Sequence, residues 1–182
     1  IVWGGNGVGP GDTVYIAGGT YTERLSPQVF GQVSAPIVLR RATGEQHGSG
    51  NGWLSSFDSQ VLINDRDVII NGGGIVIDGV VADGIKIRRT GSGAQDKGVE
   101  FCAEADNVTL RCLEIEGPGY PTAADGRGID VTPSAGTCDN VVIDRCRIYN
   151  FPNGIYLLNC NNVLIEHCEI YNLQNTGRDR KS

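Results

Sequence analysis

Four phrases of the chain share one form, glycine, apolar, variable, apolar: Gly84-Ile85-Lys86-Ile87, Gly98-Val99-Glu100-Phe101, Gly128-Ile129-Asp130-Val131 and Gly154-Ile155-Tyr156-Leu157. Alternation along a strand turns the apolar pair inward and leaves Lys86, Glu100, Asp130 and Tyr156 outward. Lys86 joins the others only if its strand joins their sheet. Glu100 and Asp130 on neighbouring strands would repel unless one is protonated or a cation lies between them. A hard cation such as calcium takes several oxygen ligands of this kind, so the two are candidate metal ligands. Tyr156 and Tyr120 are candidate substrate contacts. Glu104, Asp106 and Asp125 supply further acids for a two-carboxylate hydrolysis of a sugar bond. The plain alternative is a solvated, mixed-charge face. His47 reads as a surface residue of a Gly-rich loop, and His167 as a solvent-facing neighbour of inward Cys168. Gly91-Ser92-Gly93 lacks the strand–helix context of a phosphate loop and reads as a link. Asn107-Val108-Thr109 is a formal glycosylation sequon that doubles as a structural phrase.

The elements that must hold these residues are written as repeats. Asn140-Val141-Val142-Ile143-Asp144-Arg145-Cys146-Arg147-Ile148-Tyr149-Asn150 returns as Asn162-Val163-Leu164-Ile165-Glu166-His167-Cys168-Glu169-Ile170-Tyr171-Asn172, about 22 residues later. Asp67-Val68-Ile69-Ile70 and Asn107-Val108-Thr109-Leu110 align with the same start. An isoleucine, Ile75, Ile115, Ile148 or Ile170, follows eight residues after each leading Asp or Asn. Each unit reads as two short strands joined by a bend, with Val141, Ile143, Cys146 and Ile148 inward. Leu113 takes the inward place in the 107 unit and Cys112 moves into the bend. Leading Asn residues suit bends because Asn tolerates the left-handed region. With the Gly-led strands this makes three strands per turn: an all-β parallel β-helix of about 5–6 coils of roughly 22 residues, without evident end caps. A β-sandwich is the competing fold, but it needs no identical residues at matching offsets. The Gly84 strand lies too close to Gly98 for a whole coil, so it reads as an extra strand or part of an insertion. Insertions are expected at about 79–97 and 117–127. Strands are also read at 13–16 and 36–40. A loop spans 43–58, with Trp53 and Phe57 as anchors.

The whole chain, 1–182, reads as a single domain. Its net charge of −6 argues against nucleic acid as a partner. No apolar run reaches the length of a membrane span. Met is absent, even at position 1, which reads as a mature, excised or partial product, a fragment of a longer β-helix being one form of that reading. The 6 cysteines are an even number, as in disulfide-bonded secreted proteins. Cys146 and Cys168, however, stand at apolar places where a thiol acts as a small hydrophobe. Cys138 and Cys160 are equivalent, and stacking would bring them within reach of a disulfide; Cys102 and Cys112 are left open in the same way.

Pro10-Gly11-Asp12-Thr13-Val14-Tyr15-Ile16 with Gly19-Thr20-Tyr21, then Ala35-Pro36-Ile37-Val38-Leu39, then the Asn-Val-x-Ile-x-x-Cys-x-Ile repeats resemble the right-handed parallel β-helix proteins of the pectate-lyase-like superfamily. The opening phrase looks most like polysaccharide lyase family 6 and related secreted proteins. The resemblance implies an extracellular or cell-surface location and a polysaccharide partner. It also implies β-elimination on a polyuronate, in which calcium neutralises the uronate carboxylate and a Lys or Arg removes the adjacent proton. Arg127, Lys86 and Arg88 are the candidates for that base. The Asp-Asp pair and Gly-His-Gly phrase of the polygalacturonase family are absent. The competing functional class is a non-catalytic structural or adhesive β-helix, binding glycan or assembling end to end through open strand edges.

Overall fold

The computed structural model describes residues 1–28, 30–44, 52–91, 96–102, 105–119 and 125–173. Among the described residues sixteen short strands wind in one repeating order around three parallel sheets. The first sheet holds β1 (Thr13–Ile16), β3 (Ile37–Arg41), β6 (Ile75–Asp78), β9 (Val108–Arg111), β12 (Cys138–Asp144) and β15 (Cys160–Glu166). The second holds β2 (Gly19–Tyr21), β4 (Val61–Asn64), β7 (Ile85–Arg88), β10 (Leu113–Glu116), β13 (Arg147–Tyr149) and β16 (Glu169–Tyr171). The third holds β5 (Val68–Ile70), β8 (Lys97–Phe101), β11 (Arg127–Val131) and β14 (Asn153–Leu157), and a bridge from Leu25 to Val68 extends it by one coil. The described residues pass the first and second sheets six times, which makes six coils of a parallel β-helix.

Like residues stack on like because each coil lies one strand spacing, about 4.8 Å, above the last. Leu39, Ile77, Leu110, Ile143 and Ile165 form one in-register column. Ile63, Ile87, Ile115, Ile148 and Ile170 form another, and Val68, Val99, Ile129 and Ile155 a third. Most of these side chains are fully buried in one continuous core, each contributing roughly 1.5–3 kcal/mol of apolar transfer.

The corners follow from single residues. Asn107, Asn140 and Asn162 all sit in the left-handed region. Their amides form a ladder, Asn140 donating to Asn107 at 3.1 Å and Asn162 to Asn140 at 3.3 Å. Cys112, Arg145 and His167 take the same conformation between the first and second sheets, so Cys112 does lie in the bend. The glycines leading the third-sheet strands solve a different problem. A Cβ on Gly98, Gly128 or Gly154 would enter the Cγ2 atoms of Ile115, Ile148 or Ile170 respectively. Their absence lets the second-sheet isoleucine of each coil fill the corner.

Three expectations are corrected. The 67 unit is displaced by one strand: Val68–Ile70 pairs with β8 in the third sheet, and Ile75 pairs with Ile37 and Val108 in the first, not with the Ile115 column. Gly84-Ile85-Lys86-Ile87 is neither an extra strand nor part of an insertion, because β7 is the second-sheet strand of an ordinary coil. Its glycine answers a backbone approach, since a Cβ there would strike the carbonyl of Gly79. The period is also not constant. Neighbouring coils are 22 residues apart at Val141 and Val163 but 38 apart at Ile37 and Ile75.

The two described ends differ. Trp3 bridges Val8, and both pack on the core beside Val14, Ile16 and Leu25, so the N-terminal segment partly covers the first coil. This qualifies the expected absence of caps. A cavity of about 470 Å³ lies there, lined in part by Trp3, Ile16, Tyr21 and Ile63. At the other end the inward residues Ile165 and Ile170 are 40% and 39% exposed. No disulfide links any of the six cysteines: Cys138 and Cys160 stand in register as thiols, and Cys102 and Cys112 lie at different corners. No helix among the described residues is long and apolar enough to cross a membrane.

Candidate functional site

The third sheet presents Ile69, Glu100, Asp130 and Tyr156 in one outward row. Glu100 and Asp130 are direct neighbours, as their strand pattern requires. Three residues before them come Lys97 and Arg127, themselves in register and followed by Asn153 on the next coil. Lys97 Nζ lies 2.5 Å from Glu100 Oε1 and 2.7 Å from Asp130 Oδ2. Arg127 Nη1 donates to both oxygens of Asp130, at 2.8 and 3.0 Å, and Thr132 Oγ1 donates to Asp130 Oδ1 at 2.9 Å. The Asp130 side chain is 0% exposed. Arg127 lies over the Tyr156 ring, its Cζ 3.8 Å from the ring centroid. Burial works against the charge of Lys97, but the hydrogen bonds to Asp130 and Glu100 outweigh it and hold the ammonium above its ordinary range.

The cation that two adjacent carboxylates demand is therefore the protein's own lysine. Calcium needs six to eight oxygens around an open centre, and here Lys97 fills the gap while Asp130 has both oxygens engaged. The residues do not fit the calcium site assigned to Glu100 and Asp130.

Among the candidate bases, only Arg127 belongs to this face. Lys86 lies on the second sheet, with Nζ 3.0 Å from Glu114, 2.7 Å from Glu116 and 3.3 Å from the Tyr149 hydroxyl. Burial opposes its charge, but these bonds hold it well above the ordinary lysine range. Arg88 faces outward on the same second sheet and donates to Asn64 Oδ1 at 3.0 and 2.7 Å. Tyr120, Glu104 and His47 fall outside the described residues. Asp106 Oδ1 accepts the Asp139 N–H at 2.8 Å, which is a corner role. His167 is exposed, as expected, with Nδ1 3.0 Å from Asp144.

Sequence reasoning missed two features. The first is the Lys97–Arg127 row, although the same three-residue offset before Glu100 and Asp130 carries it. Arg66 stands two residues before Val68, just as Lys97 stands two before Val99 and Arg127 two before Ile129. Exposed Arg66 lines a pocket of about 430 Å³ with Arg24, Arg89, Asp65 and Asp67. The second is a polar network on the second sheet around Glu114, whose Oε1 accepts from Tyr149 at 2.6 Å and lies 3.2 Å from Arg147. Gln60 Nε2 adds a contact to Oε2 at 3.3 Å. Burial raises the Glu114 acid, yet the bonds from Tyr149 and Lys86 hold it below the usual carboxylate range. Asp83, paired with Arg147 at 2.7 Å, is pushed up by burial. Tyr149 stacks on Tyr171 at 5.1 Å.

Comparison with known proteins adds the family. The model of the right handed beta helix region matches residues 61–179. No curated protein and no solved structure was found to match. With its three parallel sheets and stacked columns, the chain belongs to the right-handed beta helix family.

Proposed function

We propose that this β-helix is an extracellular carbohydrate-binding protein that holds an acidic polysaccharide, a polyuronate, along its third sheet without cleaving it. The observation that carries this is the cationic row Lys97 and Arg127 on adjacent coils, with Arg66 at the equivalent corner of the coil before. One cation per coil matches a ligand that repeats its charge along its length. Buried Asp130 fixes two of these cations in place, and an ordered guanidinium loses little freedom when it grips a carboxylate. The Arg127–Tyr156 stack supplies a flat surface on which a sugar ring can lie.

Elimination is the weaker reading because it needs a neutral base. Arginine stays protonated, and Lys97 and Lys86 are both held charged by their carboxylate partners. End-to-end assembly is also weaker, since Trp3 and Val8 partly cover one end. Calorimetry with polygalacturonate, alginate and chondroitin sulfate tests the proposal. Salt-sensitive binding to one of them, without the absorbance of an unsaturated product, is expected. No binding to any of the three would overturn it, and a rise in that absorbance would restore the lyase reading.

A further inference from the structure

The corner where the second sheet turns into the third holds a further polar site, spread over three successive coils. The pocket of about 430 Å³ there is lined in part by Glu23 and Arg24 before the Leu25 bridge, by Asp65, Arg66 and Asp67 between β4 and β5, and by Arg89 and Gly91 between β7 and β8. Its volume lies within the range of roughly 300–1,000 Å³ usual for small-molecule sites. Among these described residues the charges cancel, three arginines against Glu23, Asp65 and Asp67. The wall is held by its own bonds. Arg24 Nε and Nη2 donate to the two oxygens of Asp67 at 2.6 and 3.2 Å. The Thr90 N–H donates to Asp65 Oδ1 at 3.2 Å, a bond that keeps the Asp65 acid below the usual carboxylate range. Arg89 Nη2 donates to Asp96 Oδ1 at 2.9 Å, while its Nε is buried with no hydrogen-bond partner. Exposed Arg66 gives one N–H to the Asp65 carbonyl at 2.9 Å. A guanidinium carries five N–H donors and a carboxylate about four acceptor sites, so residues fixed in this way still offer bonds to a guest.

We propose that this pocket binds one pyranose residue of a glycan through hydroxyls on neighbouring ring carbons. An apolar ligand finds no matching surface among these side chains. A lone anion meets the three acids and a lone cation the three arginines, so neither gains on balance. A hydroxyl donates once and accepts twice. Two adjacent hydroxyls therefore accept from a guanidinium and donate to a carboxylate together, and Arg24 with Asp67 and Arg66 with Asp65 set donor beside acceptor in that way. Bonds already made within the wall reduce the freedom lost on binding. The pocket also lies on the path of the third sheet, because Arg66 precedes Val68 by two residues as Lys97 precedes Val99, and Val68 and Val99 are in register. A polymer lying along the third sheet seats one of its residues here, and that placement rests on the reading of the third sheet as a glycan path. The sheet then reads carboxylates, and the corner reads hydroxyls.

The test is an NMR titration of the folded protein with the methyl glycosides of galactose, glucose and mannose, at low and at high salt. Millimolar binding of at least one of them is expected, changed less than about twofold by salt because the ligand is neutral. Arg66→Ala, at an exposed side chain, should weaken it about tenfold. Asp65→Asn should do the same while sparing the corner, since asparagine suits the left-handed conformation at φ 55 and its carbonyl still accepts the Thr90 N–H. Lys86→Ala on the second sheet should leave the affinity unchanged. No binding of any of the three glycosides, or binding that neither pocket variant weakens, would overturn the assignment. Polyuronate titrated into the same samples separates the two readings. Glycoside binding without polyuronate binding sinks the third-sheet reading alone, and polyuronate binding without glycoside binding sinks the pocket alone.

Discussion

The faces of the third and second sheets are built on the same device but surround it with different partners. Each buries one carboxylate, Asp130 or Glu114, and gathers cations and hydroxyls around it. On the third sheet Lys97 and Arg127 answer Glu100 and Asp130 one for one, and Arg66 stands at the corner between Asp65 and Asp67. On the second sheet Lys86, Arg88 and Arg147 share the face with Glu114 and Glu116, Glu169 stands in register with Arg147, and Asp83 pairs with Arg147. A buried acid thus serves as an anchor that holds long cationic side chains in register, and the neighbouring residues decide which ligand charge the face accepts. It is on the third sheet, where Asp130 holds Lys97 and Arg127 in register, that we propose a polyanion binds.

The sharpest way to break the comparison is to remove the anchors. Asp130→Ala leaves Lys97 and Arg127 without their shared partner and is expected to cost about 3–5 kcal/mol in urea unfolding. A loss under about 1 kcal/mol would show that Asp130 does not organise the face. Glu114→Gln keeps the shape and removes the charge, and should cost about 1–3 kcal/mol at neutral pH. It also carries a pH signature. The folded Glu114 lies below its ordinary value of 4.5, so its contribution is complete above that pH and fades as pH falls through the folded value. The wild type should therefore lose stability more steeply than Glu114→Gln in this acid range, and parallel curves would contradict the assignment.

Arg127→Ala sharpens the functional side. It should weaken polyuronate binding about tenfold and flatten its salt dependence, while Lys86→Ala on the other sheet leaves affinity unchanged. Equal losses in both would mean that the ligand does not distinguish the faces. The smallest effect is expected at Arg66. Its alanine variant should hold stability within about 0.5 kcal/mol and lower affinity by a few-fold, read in the same titration.

Much of the architecture was legible because a β-helix writes its contacts locally. The in-register columns through Ile143 and Ile165 and through Ile148 and Ile170 follow from alternation and the repeat, and the asparagine ladder follows from one residue type at one bend. Glu100 beside Asp130 was legible for the same reason. Lys97 was within reach, three residues before Glu100, but its role depends on a lysine tip lying between two coils. The Glu114 network was out of reach. Gln60, then Asp83 with Lys86, then Arg147 with Tyr149 come from three different coils, and nothing in their spacing announces that they meet around Glu114 of a fourth.

By itself the sequence determined which side of each strand faces inward, because side-chain direction alternates with every residue regardless of what lies next to the strand. Only the tertiary structure decided which sheet a strand joins. Val68–Ile70 and Ile85–Arg88 were displaced in the reading because coil length varies, and because one Gly-led form arises at two corners for two reasons, an isoleucine Cγ2 in one and a backbone carbonyl in the other. Lys86 and Glu100 occupy the same place in that form, yet they lie on different sheets, since face is a local property and neighbourhood is set by how much chain each corner takes up.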